Sequence, residues 1–417
     1  MSHDFDRRRS ARIRLCAAAV ALAVSAPAAA GCGSESHAAQ EQTVDLTKLD
    51  TGSYATQPTQ VTTPDAVAAG RLAEALRLGG AMPLPMEIDP ALTTNAGGVH
   101  PFTSVSDLLV PEMRGGKTAF GWLNDTAFTT DPTGFTAGFA TSARTDSDSS
   151  LGYQLTALVM TFDSESDAAA ATTVFAADGF PDYGNGVGEP AQSAAHPGAL
   201  LTWLPGSQYL AGFYPTGRFV IGALVNNREK YYEKISDLPD LIAKFDKAIA
   251  VTEDRLKSFR PTPPDQLTTL PLDPLGIVRL TLPRPAGDRT ANGFSGALDA
   301  HSALHDEDKP DTAQALFDKD GVDAVGYGAG ALYRTRDAVA AKDLRDLEYV
   351  DKFHHPIDSP VGLPGARCVK YHGPDTHAFP FACTVSYGRF AAQVWSQQQQ
   401  DAFQRISAQY AMLANDK

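Results

Sequence analysis

Apolar runs long enough to cross a bilayer are missing from this chain. The nearest is LCAAAVALAV, residues 15–24, well short of the ~20 residues a spanning helix needs. Positive charge is also short: 35 basic residues stand against 49 acidic ones, a net charge of −14. Nucleic acid is bound through cationic contacts to phosphates, so that class of partner is excluded, and a polybasic membrane patch with it. Recognisable catalytic signatures are absent too. There is no G-x-S-x-G elbow, no P-loop and no S-x-x-K set in a suitable context. The glycines of YGNGVGEP, residues 183–190, do not sit between a strand and a helix as a phosphate cradle requires. Acidic residues are scattered, and no catalytic pair stands out.

Cysteine is scarce as well, four in 417 residues, and each position carries information. Residues 1–31 have the three-part layout of an export signal: Arg7, Arg8, Arg9, Arg12 and Arg14, then the apolar run, then small residues. Cys16 leaves with that signal. Cys368 and Cys383 can pair with each other, which leaves Cys32 as an odd thiol at the start of an exported chain. Ala29-Ala30-Gly31-Cys32 resembles a bacterial lipobox, in which the cysteine sulfur receives a diacylglycerol and becomes the new N-terminus. The leucine usual three positions before that cysteine is Ala29 here. The alternative is an ordinary signal cut near Ala30, with Cys32 incidental. Two or three acyl chains would hold firmly, since each buried methylene contributes about 0.8 kcal/mol. The reading places the protein outside the cytoplasm, attached to the membrane by lipid on Cys32.

Without residues 1–31 the chain has 386 residues and a net charge of −17. That length suggests two domains, and 43% hydrophobic content suggests a real core. Residues 32–63 are rich in Ser, Thr, Gln and Pro, a composition that offsets little ordering entropy. They read as a flexible tether with a coil-like reach on the order of 30 Å. An N-terminal domain over 64–260, a proline-rich linker over 261–276 and a C-terminal domain over 277–417 follow.

Three strings occur twice in the same order. A-L-x-x-T-x-D stands at Ala157–Asp163 and Ala331–Asp337, P-G-A at Pro197–Ala199 and Pro364–Ala366, and G-R-F at Gly217–Phe219 and Gly388–Phe390. The first string reads as a strand whose aspartate caps the next helix. P-G-A opens a strand and G-R-F leaves a tight turn. An amphipathic helix closes each copy: Leu241, Phe245, Ile249 and Leu256 share a face in one, Phe403, Ile406, Tyr410 and Leu413 in the other, the latter after a cap at Ser396. The repeated unit is β-α-β-β-α, so the expected fold is α+β, two related lobes with antiparallel sheets packed on helices. Before the first copy, Asp65 caps a helix that stops at Gly79, and FTAGFATSART has no assigned place. The G-R-F arginines read as exposed turn residues ahead of anion ligands.

Cys368 and Cys383 fall on neighbouring strands of the second copy, where a disulfide is expected. The same segment spells C-x3-H-x4-H-x5-C through His372 and His377, but that spacing fits no standard zinc pattern. His301 and His305 stand at i, i+4 beside Asp306, Glu307 and Asp308 and read as a solvated helix end, while His354-His355 before Pro356 read as loop. No catalytic, cofactor-binding or metal residue is assigned.

TVDLTKLDTGSY, AGRLAEALRL…MEIDPAL, FTAGFATSART and the ending GRFAAQVWSQQQQDAFQRISAQYAMLA resemble a family of actinobacterial cell-envelope lipoproteins defined as a domain of unknown function with N- and C-terminal parts. The second copy is distantly similar to extracytoplasmic sensor-type domains in which a disulfide ties a strand pair. The resemblance implies an envelope lipoprotein and supplies no active residue. The expectation is a non-catalytic module for an envelope ligand or protein partner, with the cleft between the lobes as the ligand's place. An envelope hydrolase without a recognisable motif and a structural surface protein are the alternatives. Non-reducing peptide mapping is expected to recover Cys368 joined to Cys383; a free thiol at either position would contradict the pairing.

Overall fold

The computed structural model describes residues 44–62, 65–109, 127–146, 148, 151–177, 188–288, 294–347, 352–374 and 378–416. Asp65 caps α1 (Ala66–Ala81), accepting from the amides of Val67 and Ala68 at 3.1 and 2.9 Å. The helix runs past Gly79, whose missing side chain leaves room for the Phe139 ring. α2 (Pro85–Ile88) leads into three antiparallel strands, β1 (Thr94–Phe102), β2 (Phe135–Arg144) and β3 (Tyr153–Phe162). FTAGFATSART thus supplies an interior strand. After α3 (Glu165–Ala177) come β4 (Glu189–Ala191), β5 (Leu200–Leu204), β6 (Tyr209–Thr216) and β7 (Phe219–Asn227), then α4 (Arg228–Glu233) and α5 (Leu238–Leu256). The seven strands lie in the order β1-β2-β3-β7-β6-β5-β4.

The C-terminal lobe comprises β8 (Gly296–Asp299), α6 (Ala300–Ala303), α7 (Pro310–Asp320), β9 (Ala324–Tyr327), β10 (Gly330–Arg334), α8 (Ala338–Leu347), β11 (His354–Ile357), β12 (Arg367–Tyr371), β13 (Phe381–Tyr387), β14 (Phe390–Ser396) and α9 (Gln399–Ala414). Its order, β11-β12-β13-β14-β10-β9-β8, is the first sheet's order read backwards. Each strand therefore has a counterpart, β1 with β8 through β7 with β14, and α3 and α5 answer to α8 and α9. The fold is α+β with two related lobes, as expected. The repeat is larger than the β-α-β-β-α unit, because two strands precede the first of it and four strands, not two, stand between its helices, β4–β7 in the first lobe and β11–β14 in the second. His354 and His355 lie in the strand β11 and not in a loop.

Two of the repeated strings occupy equivalent places. P-G-A runs directly into β5 and β12, and each G-R-F follows a strand paired to it across a two-residue turn, Thr216 opposite Phe219 and Tyr387 opposite Phe390. Gly217 and Gly388 both have φ of 52°, a conformation glycine adopts without penalty. The A-L-x-x-T-x-D string is one residue out. Thr161 faces Phe219, but Arg334 and not Thr335 faces Phe390. A one-residue slip changes roles: Asp337 caps α8 through the Val339 and Ala340 amides, both at 2.9 Å, whereas Ser164 receives the Asp167 amide at α3 and Asp163 accepts from the Thr136 hydroxyl. At α9 the cap position is Gln398, and Ser396 accepts the Gln398 amide from just outside the helix.

Cys368 and Cys383 face each other on β12 and β13 and form a disulfide. The counterpart positions are Leu201 and Gly212, also directly opposite, and the leucine side chain lies where a Cβ on residue 212 would stand. One lobe fills this spot with an apolar contact, the other with a covalent bond that contributes about 3 kcal/mol by loop closure.

Strand alternation puts Leu155, Ala157 and Val159 of β3 on the α5 side of the first sheet and Leu158, Met160 and Phe162 on the α3 side. The α5 side continues, through Leu78 of α1, Met82 just after it and Phe139 of β2, into Phe294, Leu304, Phe317, Val325, Tyr333 and Leu344 of the second lobe. One apolar cluster therefore joins the α5 face of the first sheet to the α8 face of the second. The lobes stack front to back, and their shared core fills the space expected to hold a ligand. On the second lobe α9 lies on the opposite face, over Cys383, Val385 and Val394.

Of the tether expected over 32–63, the part that the structure describes, 44–62, is packed. From Val44 the chain lies on the C-terminal lobe, with Leu49 in the α9-side core. Asp50 accepts from the Gln400 and Gln404 amides, and the Thr56 carbonyl accepts from Asn415 at 2.8 Å. Tyr54 donates to Asp401 at 2.6 Å beneath the buried Arg405, which is also paired with Asp288 at 2.8 Å. Burial and the Asp401 carboxylate push the Tyr54 hydroxyl up to about 12. The proline-rich stretch is packed too: Thr262 donates to the fully buried Glu74 of α1 from its amide and its hydroxyl, both at 2.8 Å. The equivalence of the lobes has a direct test. Leu201→Cys combined with Gly212→Cys is expected to form a second intramolecular disulfide; two free thiols in the folded protein would contradict it.

Candidate functional site

Polar side chains concentrate at the seam between the lobes. α6 ends after four residues, so His301 and His305 do not share an extended helical face; their rings stand perpendicular at 5.7 Å. His301 meets Arg255 of α5 and lies 3.2 Å from Glu87 of α2, and Arg255 reaches the same Glu87 oxygen at 3.2 Å. Glu87 also accepts the Leu84 amide at 2.7 Å. Burial works against the charge on Glu87, yet the His301 and Leu84 hydrogen bonds and the Arg255 charge hold its carboxyl below the usual range. This cluster is a latch between lobes, half open to solvent.

His305 is not part of a solvated helix end. It is buried, with Nδ1 2.9 Å from the Thr141 hydroxyl of β2 and its ring edge-on to Phe139 at 5.3 Å. Its carbonyl accepts from Asn95 at 2.8 Å, and the Asn95 amide donates to the Asp308 carbonyl at 3.1 Å. Nε2 faces the Met82 backbone and has no partner in hydrogen-bond geometry among the described residues. Burial, with smaller contributions from the His301 and Arg255 charges against that of Glu87, pushes the imidazole down to about 3. The ring is neutral at physiological pH.

A serine, a histidine and an aspartate converge elsewhere, on the loop that carries the first P-G-A. Asp246 Oδ1 of α5 accepts from the Ser193 hydroxyl at 2.5 Å and lies 2.9 Å from His196 Nδ1. A nucleophilic triad needs the serine on the far nitrogen of the histidine. Here the serine proton is committed to the carboxylate, His196 Nε2 faces Glu253 at 3.9 Å, and Ser193 is buried. The group fastens the loop to α5. It does not activate a hydroxyl.

The remaining expected positions resolve simply. Arg218 donates to the Phe162 carbonyl at 2.8 Å and Arg389 to Asp323 at 3.1 Å, so the G-R-F arginines serve the turns. The Cys368–Cys383 bond removes both thiolates from the C-x3-H-x4-H-x5-C reading. Cys32, His377 and the glycines of residues 183–187 lie outside the described residues. Glu87, Arg255 and Ser193 carried no sequence signal, since their partners are 214, 46 and 53 positions away.

Two seven-stranded lobes meeting near residue 275 have a counterpart among known families. Residues 61–272 match the family model described as Domain of unknown function (DUF7373) N-terminal, and residues 277–416 match its C-terminal model. The chain belongs to the DUF7373 family. No curated protein matches this DUF7373 chain. Among solved structures, the extracellular domain of PknH from Mycobacterium tuberculosis is similar at 11% identity, over 43% of this chain and 94% of that one, with a TM-score of 0.26, and no argument rests on it. No described helix of this DUF7373 protein is long and apolar enough to cross a membrane.

A buried neutral histidine sets the sign of a pH effect. The unfolded chain takes up a proton as pH falls below about 6.5, and the folded chain does not until about 3. Stability that is full above pH 6.5 is therefore lost on acidification, by about 2 kcal/mol from this group between pH 7.5 and 5. Denaturant titrations at those two pH values are expected to show a smaller loss in His305→Gln than in the wild type; equal losses would contradict the assignment.

Proposed function

We propose that this DUF7373 protein is a lipid-anchored, extracytoplasmic, non-catalytic binding module for an envelope ligand or protein partner. The observation that carries the reading is Cys32, the odd cysteine at the end of an apolar leader with small residues before it. The Cys368–Cys383 bridge supports it, because such bonds persist where the compartment is oxidising. The Ser193–His196–Asp246 group supports the non-catalytic part, since its hydrogen bonds run the wrong way for acyl transfer. Because the lobes share one core, binding falls to outer surfaces and not to an interlobar cleft. The anchor would sit twelve positions before Val44, where the chain is packed on the C-terminal lobe.

Fractionation of cells grown with labelled palmitate tests the anchor. The wild-type protein is expected in the membrane fraction carrying label, and Cys32→Ser is expected unlabelled and released. Equal distribution of the two, without label in either, would overturn the proposal.

A further inference from the structure

We propose that His355 and His372 form a surface binding site for a divalent transition-metal ion. The site lies on β11, the edge strand of the second sheet, and at the end of its neighbour β12. His354 is opposite Tyr371 and His355 opposite Lys370, and the His372 amide donates to the Phe353 carbonyl at 2.8 Å, extending the ladder by one position. Side chains alternate along a strand, so His355, Lys370 and His372 share one face and His354 stands on the other. His354 accordingly packs on Tyr371, ring to ring at 5.1 Å. His355 and His372 are diagonal neighbours with ring centroids 5.0 Å apart and planes at 72°. Both are exposed.

That spacing suits shared coordination. A metal–imidazole bond of about 2.0–2.1 Å puts each ring centroid roughly 3.2 Å from the ion, and two ligands at 90–110° are then about 4.5–5.2 Å apart. The pair meets this distance without a change of backbone. Lys370 turns the other way, its ammonium 5.7 Å from the Phe381 ring centroid on β13. Among the described residues no group of three or more His, Cys, Asp or Glu is placed to hold a metal ion, so the site is built on this pair. The site is an open capture site and not a closed structural one. Imidazole ligands and the order of divalent affinities favour Cu(II) first and Zn(II) after it. Only neutral imidazoles bind, so affinity falls on acidification. His372 thus has a metal-binding role, but its partner is His355 across the strands and not the cysteines that flank it in sequence. The site stands independently of the lipid anchor.

The test uses the untagged protein, with Zn(II) followed by calorimetry and Cu(II) by paramagnetic resonance. One ion per chain is expected, with nitrogen couplings on bound Cu(II). His355→Ala and His372→Ala are each expected to weaken binding at least about tenfold, the floor set by losing an outer-shell partner. His354→Ala, on the opposite face, is expected to leave affinity unchanged. Absence of saturable binding, unchanged affinity in His355→Ala and His372→Ala, or an equal loss in His354→Ala would overturn the site.

Discussion

Apolar contact between two sheets that each bury both faces is the constraint on which the rest of this molecule depends. The α5 side of the first sheet cannot face water: Leu155, Val159, Ile221, Phe245 and Ile249 lie there. The second lobe supplies the cover, through Phe294, Leu304 and Tyr327, and α1 fills the joint between them. Burial of this kind is non-directional and scales with area, so it joins the lobes firmly without specifying their register. Direction comes from the polar seam, where Asn95 reads the carbonyls of residues 305 and 308 and Glu87 gathers Arg255 and His301.

Front-to-back stacking leaves the equivalent α9 face of the second lobe without a sheet to cover it. Residues 44–62 run along that helix and provide Leu49 and Tyr54, and the buried Arg405 is neutralised there by Asp288 and Asp401. Tyr54, which donates to Asp401 and lies against the Arg405 guanidinium, ties the N-terminal segment to the helix. The two lobes have diverged within one topology. The disulfide of the second takes the place of a leucine over a glycine in the first.

Much of the local structure was legible in the residues. The apolar face of α5 reads directly from its 3.6-residue spacing, the G-R-F turns from their glycines, and the disulfide from the cysteine count. The one-residue slip of A-L-x-x-T-x-D was not legible, because a string match carries no register; register is decided by which face each side chain finds buried. Over 44–62 the tether reading missed the packing since composition averages over a segment, and there a few residues, Leu49, Asp50 and Tyr54 among them, fix the chain. His305 looked like a polar helix end beside three acidic residues, and only the fold brings Thr141 and Phe139 to it. The seam as a whole joins positions up to 214 apart, beyond the reach of any spacing argument.

The claim that one shared core makes the two lobes a single body is the centre of this account. Differential scanning calorimetry of the full chain tests it most directly. A single transition whose calorimetric and van't Hoff enthalpies agree is the expected result. Two resolved transitions, one for each lobe, would contradict it.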